Sequence, residues 1–270
     1  PSPASPSPGC PVAPTRHNTN MSLPFELVPE PTPPDLPGSV VLRETLDETL
    51  DAVAADLLMQ AYACVRAFGD FHLAVSVGPV QETLYLRLLT DPTYRDLPWK
   101  RTHLWLIDEL PLGAEDERSH FSQIRDILVE HADIPRGQVH AARGGEPDAA
   151  ERYETELRES LVWREKGHDR IDLAVVALGE DGSIGGLLPG MGGVHGGLVA
   201  TAPDGRVTMT HRLLNSSRLI QAIATGEAAR PVIAQLVERR VNRVELPAAG
   251  LKPLAGTLRW YLDRAAAPVE

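Results

Sequence analysis

The chain has 270 residues, of which 43% are hydrophobic and 23% are charged, the composition of an ordinary globular protein. Its formal net charge of -11 argues against nonspecific nucleic-acid binding, because such binding needs a basic surface that displaces phosphate counterions. No apolar run reaches the roughly 20 residues needed to cross a bilayer, and no secretory signal pattern is seen, so we expect a cytoplasmic protein with no membrane partner.

The first 38 residues are rich in proline and show little apolar periodicity. Such a segment cannot offset its ordering entropy by burying apolar surface. We therefore predict a disordered tail over residues 1–38 and a single α/β domain over residues 39–270. Cys10 lies in the tail and Cys64 in a predicted helix; two unpaired thiols are favoured over a disulfide, and neither cysteine has metal-site spacing to a second ligand.

Short apolar runs alternate with amphipathic stretches along the rest of the chain, which predicts a parallel sheet covered by helices. The predicted strands are residues 71–77, 102–107, 171–178, 198–201, 206–210 and 219–224. The predicted helices are residues 42–61, 82–89, 119–131, 148–166, 227–240 and 256–266.

Four of these elements carry more specific signals. Residues 171–178 form an almost unbroken run of aliphatic residues, which is typical of a central parallel strand covered on both faces. The two short strands around Asp204-Gly205 predict a hairpin. Ser119 is suited to cap the helix that follows it.

Polar residues follow three of the predicted strands at the point where each strand ends. These junctions are residues 76–79, 107–110 and 179–183. In parallel α/β folds, ligands bind at the carboxyl ends of the strands, so these junctions are the predicted site. The carboxylates there are either functional groups or caps of the next helix, and the spacing alone leaves both interpretations open.

The third junction begins the segment from Gly179 to Gly190, which reads Gly-Glu-Asp-Gly-Ser-Ile-Gly-Gly-Leu-Leu-Pro-Gly. It resembles the 6-phosphogluconolactonase signature Gly-x-Asp-Gly-His-x-Ala-Ser-Leu-Phe-Pro-Gly. Residues 103–109 resemble that family's strand ending in Gly-Asp-Glu-Arg, and Ser119-His-Phe stands at the offset of its Ser-Asn-Tyr. Further motifs follow in the family's order: Ile-Pro and Val-His at 134–140, Asn-x-x-Arg at 215–218, Thr-Gly at 225–226, Leu-Pro-Ala at 246–248 and Trp-x-Leu-Asp at 260–263.

This ordered series implies the family's fold, a doubly wound, mainly parallel α/β sheet with helices on both faces. It also implies the family's reaction, hydrolysis of 6-phospho-D-glucono-1,5-lactone to 6-phosphogluconate in the pentose phosphate pathway, with no cofactor and no metal. By position in the motifs, the catalytic residues would be Ser183 and Asp181. The substrate-binding residues would be Ser76, Gly78, Asp108, Glu109 and Gly182, with Arg118 and Lys252 as basic residues that could reach a phosphate.

Several of these positions depart from the family pattern. The family's catalytic histidine is replaced by Ser183, which has no basicity near pH 7, and its phosphate-binding arginine is replaced by Leu110. The family's phosphate turn, Ser-Gly-Gly-Ser-Thr-Pro, here reads Ser-Val-Gly-Pro-Val-Gln from residue 76 to 81. Val77 does not easily adopt the positive φ that glycine allows, and Pro79 has no N–H to donate.

Two functions stay open at this point. One is a lactonase or related sugar-ester hydrolase with a rearranged site, in which His195 is the nearest alternative base in the sequence. The other is a catalytically silent relative that binds a sugar, a metabolite or a protein partner. The substitutions at residues 77–81, 110 and 183 favour the second, and the oligomeric state is left open.

Removing residues 1–20, so that the chain begins at Met21, is expected to leave the melting temperature nearly unchanged. The removed segment carries almost no periodicity of a kind that packs into a core. Thermal unfolding of the full and shortened chains measures the difference, and a loss of many degrees would show that the segment packs.

Overall fold

The computed structural model describes residues 32–113, 115–161, 170–191 and 196–268. Seven strands form one parallel sheet: β1 Ser39–Arg43, β2 Phe71–Val75, β3 Thr102–Leu106, β5 Val139–His140, β6 Leu173–Ala177, β9 Leu219–Ala224 and β10 Thr257–Asp263. Their order across the sheet is β1-β10-β9-β6-β2-β3-β5. The aliphatic strand β6 is therefore central, as its sequence predicted.

Helices cover both faces of this sheet. They are α1 Leu46–Phe68, α2 Pro79–Thr90, α3 His120–Ile124, α4 Ala149–Leu161, α5 His211–Leu214 and α6 Arg230–Glu238. Along β2, Leu73 and Val75 belong to one hydrophobic cluster with α1 and α2, whereas Ala74 belongs to another with α4 and α6. Because successive strand residues point to opposite faces, the two clusters are the two sides of the sheet. The predicted doubly wound α/β fold is confirmed.

A small antiparallel sheet continues from the end of β3. It consists of β4 Asp108–Glu109, β7 Val199–Thr201 and β8 Val207–Met209, in the order β4-β8-β7. The predicted hairpin around Gly205 is confirmed, and this glycine has φ +85°, in the left-handed region that favours glycine. The hairpin thereby reaches the residues that directly follow the main sheet.

Residues 256–266 do not form the predicted helix; they contain the strand β10. Leu258, Trp260 and Leu262 face one cluster and Tyr261 faces the other, so the segment has the period of a strand buried on both faces. Its backbone pairs with β1 on one side and β9 on the other. These partners come from distant parts of the chain, which is why the local pattern did not reveal the strand.

The predicted first helix also begins too early. Leu42 belongs to β1, and α1 begins at Leu46, after the side chain of Thr45 accepts a hydrogen bond from the Glu48 N–H. The sequence prediction missed β1 because this strand is short and lies at the edge of the sheet. The predicted cap at Ser119 is confirmed, since its hydroxyl accepts from the Ser122 N–H at 3.0 Å.

Most of the predicted tail, residues 1–31, lies outside the described residues. At its end, Leu36 is only 4% exposed and packs into the core, and the Trp260 indole donates to the Pro37 carbonyl at 3.0 Å. Cys64 is buried on α1, and Cys10 lies outside the described residues. None of the described helices is long and apolar enough to span a bilayer.

Replacing Trp260 by alanine is expected to lower the free energy of unfolding by about 3–5 kcal/mol, the usual cost of truncating a buried aromatic side chain. The side chain is 1% exposed and packs in the larger cluster. Leu254→Ala is the control, because Leu254 is 98% exposed, and its effect should stay within about 0.5 kcal/mol. Urea unfolding measures both variants, and similar losses would contradict the placement of Trp260.

Candidate functional site at the carboxyl edge of the sheet

The three polar junctions meet at one edge of the sheet. Ser76 follows β2, Asp108 follows β3, and the loop that begins at Gly179 follows β6. These strands are parallel neighbours in the order β6-β2-β3, so their carboxyl ends lie side by side. This is the edge at which parallel α/β folds bind ligands.

The buried carboxylate of Asp108 lies at the centre of this edge. It is 4% exposed, and its Oδ2 lies 3.2 Å from His120 Nδ1 and 3.4 Å from Arg206 Nη1. The loop after β6 lies directly against it: a Cβ built on Gly186 would be 2.8 Å from the Asp108 Cβ. One carboxylate therefore joins the start of α3, the hairpin strand β8 and the loop after β6.

The imidazole of His120 is held in place by Asp108. Its Nδ1 also lies 3.0 Å from the Asp108 main-chain oxygen. Burial lowers the pKa of His120, but the hydrogen bonds and negative charge of Asp108 outweigh this, so the pKa is raised above its ordinary value. The charged imidazolium therefore stabilises the fold fully below the ordinary pKa, about 6.5, and this contribution fades as the pH rises through the raised pKa.

Glu109 holds the start of α3. Its side chain is 2% exposed, and Oε1 accepts from the N–H groups of Leu110 and His120, both at 2.8 Å. Its Oε2 accepts from the Phe121 N–H at 2.8 Å. Burial raises the pKa of Glu109, and these three N–H groups lower it by less, so the net shift is upward. The carboxylate thus satisfies helix N–H groups that would otherwise lack partners.

The turn after β2 is filled by a side chain of the protein itself. The Gln81 amide donates to the Ser76 hydroxyl at 3.0 Å, and a Cβ on Gly78 would lie 2.8 Å from the Gln81 Oε1. The Tyr85 hydroxyl donates to the Ser76 carbonyl at 2.7 Å. Ser76 and Gln81 are both buried, and α2 begins at Pro79 immediately after the turn. The amide of Gln81 therefore lies across the turn, between Ser76 and Gly78.

The loop after β6 forms a tight turn around the three predicted residues Asp181, Gly182 and Ser183. Asp181 is exposed, and its Oδ1 accepts from the Ser183 N–H at 2.9 Å. Gly182 has φ +84°, and a Cβ there would lie 2.0 Å from the Leu246 side chain, so no other residue fits without rearrangement. The Ser183 hydroxyl faces back onto Gly179. The alternative base His195 lies outside the described residues.

The two basic residues suggested by the sequence are not brought to Asp108. Arg118 is exposed and forks onto Asp116, with Nε and Nη2 at 3.0 and 2.8 Å from its two carboxylate oxygens. Lys252 is exposed and lies before β10, where its N–H donates to the Asn215 side chain.

Two charged residues at the site were missed by the sequence reasoning. His120 occupies the Asn position of the Ser-Asn-Tyr offset, and this substitution beside a predicted cap was the available signal. Arg206 opens the second strand of the hairpin, and nothing local indicates that it reaches Asp108 from 98 residues away. Arg206 also lies 3.3 Å from Asp204, so its guanidinium contacts two carboxylates.

A second cluster of titratable residues is found where β2 and β3 begin. Ligand atoms of Asp70, His72 and His103 lie within 4.8 Å of one another, a set of residue types that suits a metal ion. However, the Trp105 indole donates to the His72 Nδ1 at 3.0 Å, so the neutral ring carries its proton on Nε2. Because that nitrogen is the one facing Asp70, at 3.5 Å, its lone pair is not available to a metal.

Known proteins are similar to this chain in both sequence and fold. A family model described as glucosamine-6-phosphate isomerases/6-phosphogluconolactonase matches residues 44–260. The chain is 28% identical to the human GDH/6PGL endoplasmic bifunctional protein over 270 aligned residues, which cover 90% of this chain and 33% of that protein. The chain thus spans about a third of the length of this relative. It is 26% identical to the 6-phosphogluconolactonase of Haemophilus influenzae, covering 72% of this chain and 85% of the relative.

Solved structures agree with the fold. The crystal structure of a devB protein superposes with a TM-score of 0.72 at 25% identity, covering 84% of this chain and 97% of that one. The 6-phosphogluconolactonase of Thermotoga maritima gives a TM-score of 0.71 at 24% identity, covering 84% and 99%. Relatives named as endoplasmic or chloroplastic occur among the similar sequences, so the cytoplasmic location stays a prediction.

Replacing Asp108 by asparagine is expected to lower the pKa of His120, because the hydrogen bond to the carboxylate and its negative charge are lost while burial still disfavours the imidazolium. The NMR signal of the His120 ring followed against pH measures this. Asp181→Asn is the matched control, since this exposed carboxylate binds its own turn and should leave the titration unchanged. An unaltered His120 titration in the Asp108 variant would contradict the pairing.

Proposed function

The chain belongs to the glucosamine-6-phosphate isomerase/6-phosphogluconolactonase family, and we propose that it is a binding relative with weak or no lactonase activity. The observation that carries this proposal is the state of the carboxyl edge. Ser183, in a tight turn, occupies the position of the family's base. The Gln81 side chain fills the turn that would bind a phosphate. The polar side chains lie together at this edge, but they form hydrogen bonds and ion pairs with one another.

Lactone hydrolysis needs a base that takes a proton from the attacking water. The Ser183 hydroxyl has no basicity near neutral pH, and the adjoining Asp181 carboxylate accepts from a main-chain N–H within the turn. Losing a general base lowers the rate by about 10²- to 10⁴-fold. The lack of a general base is therefore by itself enough to make lactone hydrolysis by these two residues inefficient.

A phosphate also needs donors that converge on it. Gln81 occupies the turn, Pro79 has no N–H, and Leu110 offers an alkyl group in place of a guanidinium. The Arg206 guanidinium is already paired with Asp108 and with Asp204. A sugar or metabolite that binds through hydroxyl groups is therefore a better ligand for this edge than a phosphate monoester.

One observation favours a second candidate, a slow hydrolase of sugar lactones. The Asp108 carboxylate orients His120 through Nδ1, which is how a general base is commonly positioned by an acid. Once deprotonated, His120 would offer the Nε2 lone pair to a water molecule. Because its pKa is raised, this base would operate only toward higher pH.

A lactonase assay with freshly generated 6-phosphogluconolactone, corrected for spontaneous hydrolysis, tests both candidates. The unmodified chain is expected to turn over at least about 10²-fold more slowly than an intact relative. The double variant Ser183→His/Leu110→Arg should recover little or no activity, because Pro79 and Gln81 still prevent the turn after β2 from binding a phosphate. Turnover similar to that of an intact relative would overturn the proposal.

The variant His120→Gln separates the two candidates. If a residual rate is measured above spontaneous hydrolysis and His120→Gln abolishes it, the slow hydrolase is supported. The control is His131→Gln, which replaces an exposed histidine a short distance along the chain. A rate that persists in His120→Gln would exclude His120 as the base.

A further inference from the structure

A group of nearly parallel aromatic rings lies across strands β2, β3 and β5. It consists of His72 on β2, His103 and Trp105 on β3, and His140 on β5. The ring planes of His72 and His103 differ by 9°, those of His103 and His140 by 7°, and those of Trp105 and His140 by 9°. His72 and His140 are buried. Histidines inside a core make local contacts depend on protons, because their charge changes near neutral pH.

Two of these histidines are joined through their ring nitrogens. His103 Nδ1 lies 3.0 Å from His140 Nε2, and His140 Nδ1 lies 2.6 Å from Glu156 Oε1. An ionised carboxylate only accepts hydrogen bonds, so His140 donates from Nδ1 to Glu156. A neutral His140 then has its lone pair on Nε2, and His103 donates to it from Nδ1. The hydrogen-bonded chain thus links β3, β5 and α4.

The contact between the two rings limits how many protons the pair can hold. Each imidazole has two nitrogens, and at most three of the four can carry a proton while His103 Nδ1 faces His140 Nε2. A fourth proton would place two N–H groups against each other, and neither of them can accept. Other contacts of His103 determine when the third proton binds, but they do not alter this limit. When both rings are charged, the contact must open.

Titratable and charged groups face the pair from β2, from α4 and from the segment after β5. Among the described residues they are Asp70, His72, Tyr153, Glu156, Arg152 and Arg143. The two arginines are paired with Glu146, and Arg152 also with Asp148, whereas Glu156 contacts His140 directly. The Glu156 side chain is 46% exposed, so this end of the chain reaches solvent. Adjacent imidazolium ions repel each other, so the fourth proton binds at a lower pH than the third.

The contact between the rings contributes to holding β5 in the sheet. β5 has only two residues, and it lies at the end of the strand order beside β3. The Tyr153 hydroxyl also bridges the two strands, because it lies 2.8 Å from the Leu106 oxygen and 3.3 Å from the His140 oxygen, but it has a single hydrogen to share. So short an edge strand depends strongly on each of its side-chain contacts.

The segment after β5 connects this strand to the carboxyl edge. A Cβ built on Gly144 would lie 2.0 Å from the Leu110 main-chain oxygen and 3.1 Å from the Glu109 side chain. Glu109 in turn accepts from the N–H groups at the start of α3. A displacement of β5 would therefore reach the residues next to Asp108.

We propose that the chain of His103, His140 and Glu156 is a pH-sensitive contact. It holds β5 on β3 while the two rings carry three protons or fewer, and it releases β5 and residues 141–148 when both rings are charged. Acidification would then change the carboxyl edge by a route separate from the titration of His120. This behaviour is independent of whether that edge catalyses lactone hydrolysis.

NMR of the full chain, labelled with ¹⁵N at the histidine rings, counts the protons on the pair from about pH 7.5 to about pH 4.5. Amide hydrogen exchange measures protection over the same range. Protection at residues 139–148 is expected to fall at least about 10-fold as the fourth proton binds, while β6 keeps its protection. Unchanged protection at residues 139–148 with both rings charged would overturn the proposal. A pair that stays short of four protons until β6 also loses protection would do the same.

Glu156→Gln distinguishes a pH-sensitive contact from a purely structural one. Loss of the negative charge disfavours a charged His140, so the release of residues 139–148 should move to lower pH by at least about 0.5 unit. A purely structural contact, once weakened, would instead open more readily at every pH. Glu159→Gln, which replaces an exposed carboxylate on the same helix, is the control and should leave the release unchanged.

His103→Gln tests the pair itself. The glutamine amide can turn its N–H to a neutral His140 or its oxygen to a charged one, so the conflict between two N–H groups does not arise. The pH dependence of protection at residues 139–148 should therefore disappear, and protection of β6 at about pH 7.5 checks that the variant is folded. His131→Gln is the control. A His103→Gln chain that still loses protection at residues 139–148 on acidification would exclude the ring pair as the cause.

Discussion

The buried carboxylate of Asp108 is the contact on which the arrangement of the carboxyl edge depends. It joins His120 from the start of α3, Arg206 from the hairpin and the glycine pair of the loop after β6. A buried carboxylate that lost these partners would be strongly unfavourable, so the three segments are held together by the same charge. Removing one partner would leave the buried Asp108 carboxylate less fully paired.

The other two carboxylates of this edge also hold main-chain N–H groups of their own segments. Glu109 supplies acceptors to three N–H groups at the start of α3, and Asp181 accepts within its own turn. Each carboxylate therefore has a structural task in its own segment. Leu110 and Ser183 take part in these contacts through their main-chain N–H groups.

The charged side chains at the carboxyl edge are paired with one another. At the carboxyl edge, charges of both signs neutralise one another in buried pairs around Asp108.

The sequence by itself determined the fold class, the central strand β6, the hairpin at Gly205 and the three junctions at one edge, because these follow from local periodicity, turn residues and ordered motifs. Only the tertiary structure decided that residues 257–263 are a strand, since its hydrogen-bonding partners β1 and β9 are distant in the chain. It also decided the site, because the pairing of Asp108 with Arg206 spans 98 residues and the filling of the turn by Gln81 depends on a side-chain conformation. The periodicity of apolar residues indicates which side chains are buried, whereas contacts between charges that are distant in the sequence form only when the chain folds.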